Sequence, residues 1–186
     1  MTMHDKNTLP QRKHPVHMPP IERHNQPVIL FVTIGVHPRG NHLANVLFHT
    51  AFCEACVDAD TWSVGKYMLM PDHIHLFCAP AVFPRVRVTR WVQYLKERIT
   101  KRLVVTREKT GERTCGELPI HTGGRGCAEP PSRLWKWHPG CWDIQIRNGE
   151  HYREKWLYVQ QNPVRAELVD KSDEWPFQGE INVLRW

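Results

Sequence analysis

The chain has 186 residues, with 25 Lys and Arg against 19 Asp and Glu, 12 His and an apolar share of 41%. That length suits one domain with one ordinary core, and the longest apolar run, 28–36, is too short to span a bilayer. A formal charge of +6 and eight tryptophans favour an anionic partner that can be stacked upon, with nucleic acid as the leading class.

Residues 1–26 carry His4, His14, His17 and His24 among Pro, Lys, Arg and Asn. This stretch lacks the apolar core of a signal peptide and reads as a disordered basic tail, a low-complexity segment more readily solvated than metal-loaded. The remaining 27–186 read as a single domain. Six cysteines without secretory spacing read as reduced thiols, which points to the cytoplasm. Cys53 and Cys56 then read as small side chains on one helix.

Val28 to Val36 is rich in β-formers and predicts a first strand, broken by His37-Pro-Arg-Gly40. Asn41 is the predicted cap of a helix that ends near Asp58 to Asp60. Trp62 to Met70 and His73 to Ala79 predict two strands joined tightly at Pro71-Asp72. Alternation along the second strand puts His73 and His75 on one face, and Ile74 and Leu76 on the other.

Val88, Trp91, Val92, Leu95, Ile99 and Leu103 recur at helical spacing. Around that stripe Arg85, Arg87, Arg90, Lys96, Arg98, Lys101 and Arg102 form a positive face, able to hold a phosphate backbone or simply to be solvated. Thr106 to Arg133, with Gly123-Gly-Arg-Gly126 at its centre, reads as a flexible insertion. Its Cys115, His121 and Cys127, with His138 and Cys141, match no zinc spacing that has a physical basis. Leu134 to Arg147 alternates and predicts a last strand. A helix follows from about Glu150 to Gln161, closed by Pro163.

The order βαββαβα predicts an α+β fold, with an antiparallel sheet and helices packed on one side. If the last helix crosses the face bearing His73 and His75, one site can hold both imidazoles together with Tyr158 and Asn162, which lie one helical turn apart. Two imidazoles and an amide oxygen can fix a divalent ion, and a phenol made nucleophilic can attack a phosphodiester. Manganese suits imidazole, while magnesium is the more available ion. Lys155 is a candidate helper for ionising the phenol.

At these residues the chain resembles the HUH single-tyrosine transposases, and within them the REP-associated branch. The resemblance runs from about Pro27 to Gly179. It rests on Tyr67-Met-Leu-Met-Pro-Asp-His-Ile-His75, Trp142-Asp-Ile-Gln-Ile-Arg147, Tyr158-Val-Gln-Gln-Asn-Pro-Val-Arg-Ala166 and Trp175-Pro-Phe177.

The resemblance implies a ferredoxin-like βαββαβ core plus a C-terminal helix carrying the tyrosine. It implies His73, His75 and Asn162 as ligands of Mg2+ or Mn2+ and Tyr158 as nucleophile. The activity it implies is cleavage and rejoining of single-stranded DNA beside hairpins of the REP palindrome type, by a monomer or homodimer associated with the bacterial nucleoid. Arg165 joins the basic residues expected to meet DNA. Asp72 stands where Asn or Glu is also common in that family, Glu167 replaces a frequent glycine, and the 106–133 insertion is long. Two other classes stay open from the residues: a hairpin-binding protein without chemistry, and a metallohydrolase in which Tyr158 supports a water nucleophile.

Overall fold

The computed structural model describes residues 20–21, 27–110 and 135–185. The N-terminal tail apart from residues 20 and 21, and the glycine-rich stretch 111–134 with its Cys115, His121 and Cys127, lie outside the described residues.

Chain order is β1 (Leu30–His37), α1 (Val46–Asp58), β2 (Trp62–Leu69), β3 (His73–Pro80), α2 (Val88–Thr110), β4 (Lys136–Trp137), β5 (Trp142–Gln145), α3 (Gly149–Gln160), α4 (Asn162–Arg165) and β6 (Gln178–Glu180). All strands pair antiparallel in the order β4-β1-β3-β2-β6, with β5 also on β1. The expected α+β class with an antiparallel sheet and a β2–β3 hairpin therefore holds, and β6 adds a further edge strand. No described helix is long and apolar enough to cross a membrane.

Local chemistry moves several boundaries. Asn45, not Asn41, caps α1: its side chain accepts from the Phe48 amide at 2.8 Å. The predicted last strand is two short ones, β4 and β5, separated at Gly140, whose φ of 111° breaks extended geometry. Helix α2 continues to Thr110, into the start of the predicted insertion. Pro163 does not end helical structure; it sits in the first turn of α4, where its missing N–H costs nothing.

Strand parity divides the interior into two layers. Leu30, Val32, Ile34 and Val36 on β1 share a face with Ile74, Leu76 and Cys78 on β3, and that face is sealed by Phe48, Phe52 and Ala55 of α1 and Trp91, Val92, Leu95 and Ile99 of α2. Phe31 and Phe77 take the other face with Met68, Met70, Tyr152, Val159 and Trp175. Helices thus pack on both sides rather than one, because each sheet face carries enough apolar surface to need a cover.

The β2–β3 register shifts between Val64 and Tyr67. This bulge reverses parity, so that Val64, Tyr67 and Leu69 all point to the α1/α2 layer while Met68 points away.

Candidate active site

The turn joining β2 to β3 is pinned from three directions. The Met70 amide donates to the His73 carbonyl at 2.8 Å, the Val36 amide to the Asp72 carbonyl at 3.0 Å, and the His42 and Leu43 amides to the Pro71 carbonyl at 2.9 and 3.0 Å. This rigid corner presents Asp72 beside His73 and fixes where β3 begins.

On β3, His73 and His75 share the face away from α1 and α2. Their Nε2 atoms are 3.1 Å apart, and the rings stand nearly perpendicular. Each Nδ1 is already engaged: that of His73 with Asp72 Oδ1 at 2.6 Å, and that of His75 with Thr33 Oγ1 at 2.9 Å. Thr33 is the cross-strand partner of His75, and Phe31, next on that face, stacks on the His75 ring with centroids 5.3 Å apart. A carboxylate only accepts, so the neutral His73 carries its proton on Nδ1 and leaves the Nε2 lone pair free.

At that distance the two Nε2 atoms either share a hydrogen bond, with His75 donating to His73, or leave both lone pairs to a cation between them. Their spacing is what two metal–nitrogen bonds of about 2.1 Å at a right angle would give. Burial first, and then the neighbouring His73 and Lys155, push the His75 imidazole down to about 3, which favours its neutral, ligand-competent form. The donor set fits a divalent ion, although among the described residues no group of three His, Cys, Asp or Glu gathers at one point. Among the described residues a third protein ligand would therefore be of another type, such as an amide.

Helix α3 crosses this face. Asn148 caps it through the His151 amide at 2.8 Å, and Tyr152 and Trp156 pack over Phe77 with centroids at 4.3 and 6.3 Å. The Lys155 ammonium lies 5.8 Å above the Phe31 ring, on the side toward His75. Tyr158 projects from the flank of α3 and is 61% exposed.

Tyr158 and Asn162 straddle the α3–α4 junction instead of sharing one uninterrupted helix. Arg165 straps that junction. Its guanidinium lies 4.1 Å from the Tyr158 ring centroid and donates to the Tyr158 carbonyl at 2.7 Å and to Asn162 Oδ1.

Two clusters result: His73, His75, Asp72 and Thr33 along the sheet with Lys155 of α3 beside them, and Tyr158, Asn162 and Arg165 at the helix junction. No hydrogen bond joins the imidazoles to Tyr158 or Asn162. Of the other tyrosines, Tyr67 and Tyr152 are buried with their phenols pushed up by desolvation, Tyr152 to about 12, and Tyr94 lies on α2 beyond the sheet.

The basic residues of α2 lie apart from the imidazoles, and three of them are engaged within the fold. Lys96 is only 7% exposed and donates to the His138 and Gly140 carbonyls at 2.8 and 2.5 Å, so it cannot reach a phosphate. Arg98 and Arg102 both bind Asp58 of α1, at 2.6 and 2.7 Å. Arg87, Arg90 and Lys101 are exposed and Arg85 half-buried, but all are on or just before the helix that covers the opposite face of the sheet from His73 and His75.

Asp72 and Thr33 were not singled out from sequence as partners of the imidazoles. The signal for Asp72 was its adjacency to His73; that for Thr33 was a lone hydroxyl within an apolar strand.

No family model and no curated protein sequence matches the chain. Among solved structures it is similar to a REP-associated tyrosine transposase bound to a REP hairpin, with a TM-score of 0.53, 19% identity, and coverage of 87% of this chain and 82% of that one. A candidate transposase from Deinococcus radiodurans is similar at a TM-score of 0.41 and 12% identity, covering 78% of this chain and 97% of the other. The first likeness establishes a common fold.

Proposed function

We propose that the protein is a metal-dependent transposase of the REP-associated tyrosine type, nicking and rejoining single-stranded DNA beside hairpins. The observation that carries this reading is the convergence of His73 and His75 Nε2 atoms, each imidazole oriented by its own partner, on the sheet face crossed by the helix that bears Tyr158. The fold shared with a transposase bound to a REP hairpin supports the choice of substrate.

His73 and His75 would hold the divalent ion, Mg2+ or Mn2+, with Asn162 as third ligand. The Asn162 oxygen has two lone pairs, so its bond from Arg165 leaves one available. When bound, the ion supplies Lewis-acid withdrawal of charge from the phosphate. Asp72 and Thr33 keep the ligand rings aimed.

Tyr158 Oη forms a bond to phosphorus while the P–O3′ bond breaks. The electron pair goes to O3′, which takes a proton from solvent, and the phenolic proton is lost to a base or water. Lys155 lies on the same helix flank, where a cation favours phenolate. The product is a 5′-phosphotyrosine and a free 3′-hydroxyl. Attack by another 3′-hydroxyl reverses the step without an energy source, since the ester is conserved. Arg165, exposed and beside both Tyr158 and Asn162, can exchange its internal bonds for a phosphate oxygen.

The test is incubation of the full chain with hairpin-bearing single-stranded DNA and Mn2+, followed by denaturing electrophoresis. A covalent protein–DNA adduct that disappears in Tyr158→Phe is expected. Free 5′-phosphate without an adduct would instead show hydrolysis, and chelator-insensitive binding without cleavage would show a hairpin-binding protein.

A further inference from the structure

Among the described tryptophans, Trp142 alone is exposed, at 53%. Its position is specific. Trp142 on β5 pairs with Thr33 on β1, and Thr33 pairs with His75 on β3. Paired residues of adjacent strands point to the same side, so Trp142, Thr33 and His75 form one row across the face that bears the imidazoles. Ile144, 47% exposed, follows on the same side opposite Phe31, whereas Asp143 opposes Val32 and belongs to the other face.

Two strand spacings put the Trp142 backbone about 10 Å from that of His75. An edge strand ordinarily shields itself with charge or proline; β5 offers a flat indole and an isoleucine instead. The flanking charge is mixed: Arg147 follows the strand, and His151 has its affinity for a proton lowered by burial and then by Lys155 and Arg147 beside it, with Glu154 opposing them. The Lys155 ammonium, 5.8 Å over the Phe31 ring that stacks on His75, puts a cation beside the same row, as a phosphate backbone requires.

We infer that Trp142 is a stacking platform for a base of the single DNA strand whose phosphate is held at His73 and His75. The inference rests on the function proposed above and assigns a residue to the unpaired strand rather than to the hairpin. The partner class is single-stranded nucleic acid, because an indole in register with a phosphate site matches a base attached to that phosphate, and stacking accepts any base.

The experiment measures binding by fluorescence anisotropy in the Tyr158→Phe background, where no cleavage intervenes. The probes are an oligo-dT 20-mer and a 20-mer of abasic nucleotides. Trp142→Ala should weaken oligo-dT binding by about 5- to 150-fold, leave the abasic probe within about twofold, and leave the salt dependence unchanged, since no phosphate contact is removed. Trp142→Phe should keep most of the affinity and Trp142→Leu should lose it. That pair compares an aromatic with an aliphatic side chain if the alanine variant folds poorly.

Equal oligo-dT affinity in the parent and in Trp142→Ala, an equal loss on both probes, or full oligo-dT affinity of Trp142→Leu would overturn the platform. Absence of any oligo-dT binding by the parent would overturn the platform alone, since the adduct assay on hairpin-bearing DNA decides the proposed function separately.

Discussion

On one face of the sheet Trp62 and Trp91 are sealed against each other, each donating its indole N–H to a backbone carbonyl, Val86 at 2.9 Å and Ala59 at 2.8 Å. On the other face, the same strands present paired imidazoles, a hydroxyl and a carboxylate, covered only partly by α3. The first layer spends its ion pairs on fastening helix to helix, through Asp58 with Arg98 and Arg102. The second leaves charged side chains exposed beside the site. Stability and chemistry are thus separated by the thickness of one sheet, and a basic helix turns out to belong to the stabilising side.

The largest effect that tests this separation is on the chemical face. Tyr158→Phe should lower adduct formation by at least about 10⁴-fold, as deletion of a nucleophile does, with little change in melting temperature because the side chain is exposed. A thermal scan beside the cleavage assay checks both halves. The reverse experiment is Trp91→Ala, which removes a 1% exposed side chain and should destabilise the fold by about 3–5 kcal/mol in urea titration. At a temperature where the variant remains folded, its Mn2+ affinity should match the parent; a parallel loss of metal binding would show that the two layers are coupled.

Next come the residues that orient the ligands. Asp72→Asn and Thr33→Val should each weaken Mn2+ binding by about 10- to 100-fold by calorimetry, without abolishing the fold. Unchanged affinity would mean that β3 alone aims the imidazoles.

A smaller effect concerns Glu167, which has φ 55° just after α4, a left-handed conformation that favours glycine. Glu167→Gly should raise stability by up to about 1 kcal/mol, the relief of strain being partly offset by the freer unfolded chain. Denaturant midpoints decide the sign.

The smallest effect is on pH. Hydrogen bonds from Arg98 and then Arg102 hold the Asp58 carboxyl below its usual range. That pairing stabilises the fold fully above the unfolded carboxyl's pKa of about 3.9 and is lost as pH falls through the lower folded value. The stability difference between the parent and Asp58→Asn should therefore be constant near neutrality and close below about pH 4.

Much of this arrangement was readable from periodicity. The β1 run, the β2–β3 hairpin with its shared histidine face, and the α2 stripe all follow from apolar spacing, because burial of one face dictates that spacing. What could not be read depends on distant chain. Lys96 borders the apolar stripe next to Val92 and Ile99, and it is buried only because the β4–β5 turn lays the His138 and Gly140 carbonyls over it. Strand β6 is three polar-flanked residues whose pairing rests on Gly179: a Cβ there would come within 2.8 Å of the Tyr67 hydroxyl. Trp175 entered as a motif without a reason, and it proves to be a peg, buried and donating to the Leu69 carbonyl at 2.9 Å. For the site, the shared face of His73 and His75 and the closeness of Tyr158 to Asn162 were legible. Asp72 and Thr33 were not, because a hydrogen-bonding partner across a strand is set by register, which one sequence does not print.

The alternation in β3 also constrains how this gene can change length. Between the pinned turn at Pro71-Asp72 and Phe77, gaining or losing a single codon would exchange the two faces of the strand. His73 and His75 would be driven into the hydrocarbon beneath α1 and α2, and Ile74 and Leu76 would take their place on the face crossed by α3. Substitutions here can be graded in their damage. A one-residue frame slip cannot, so this corner should keep a fixed length through any lineage in which the chemistry persists.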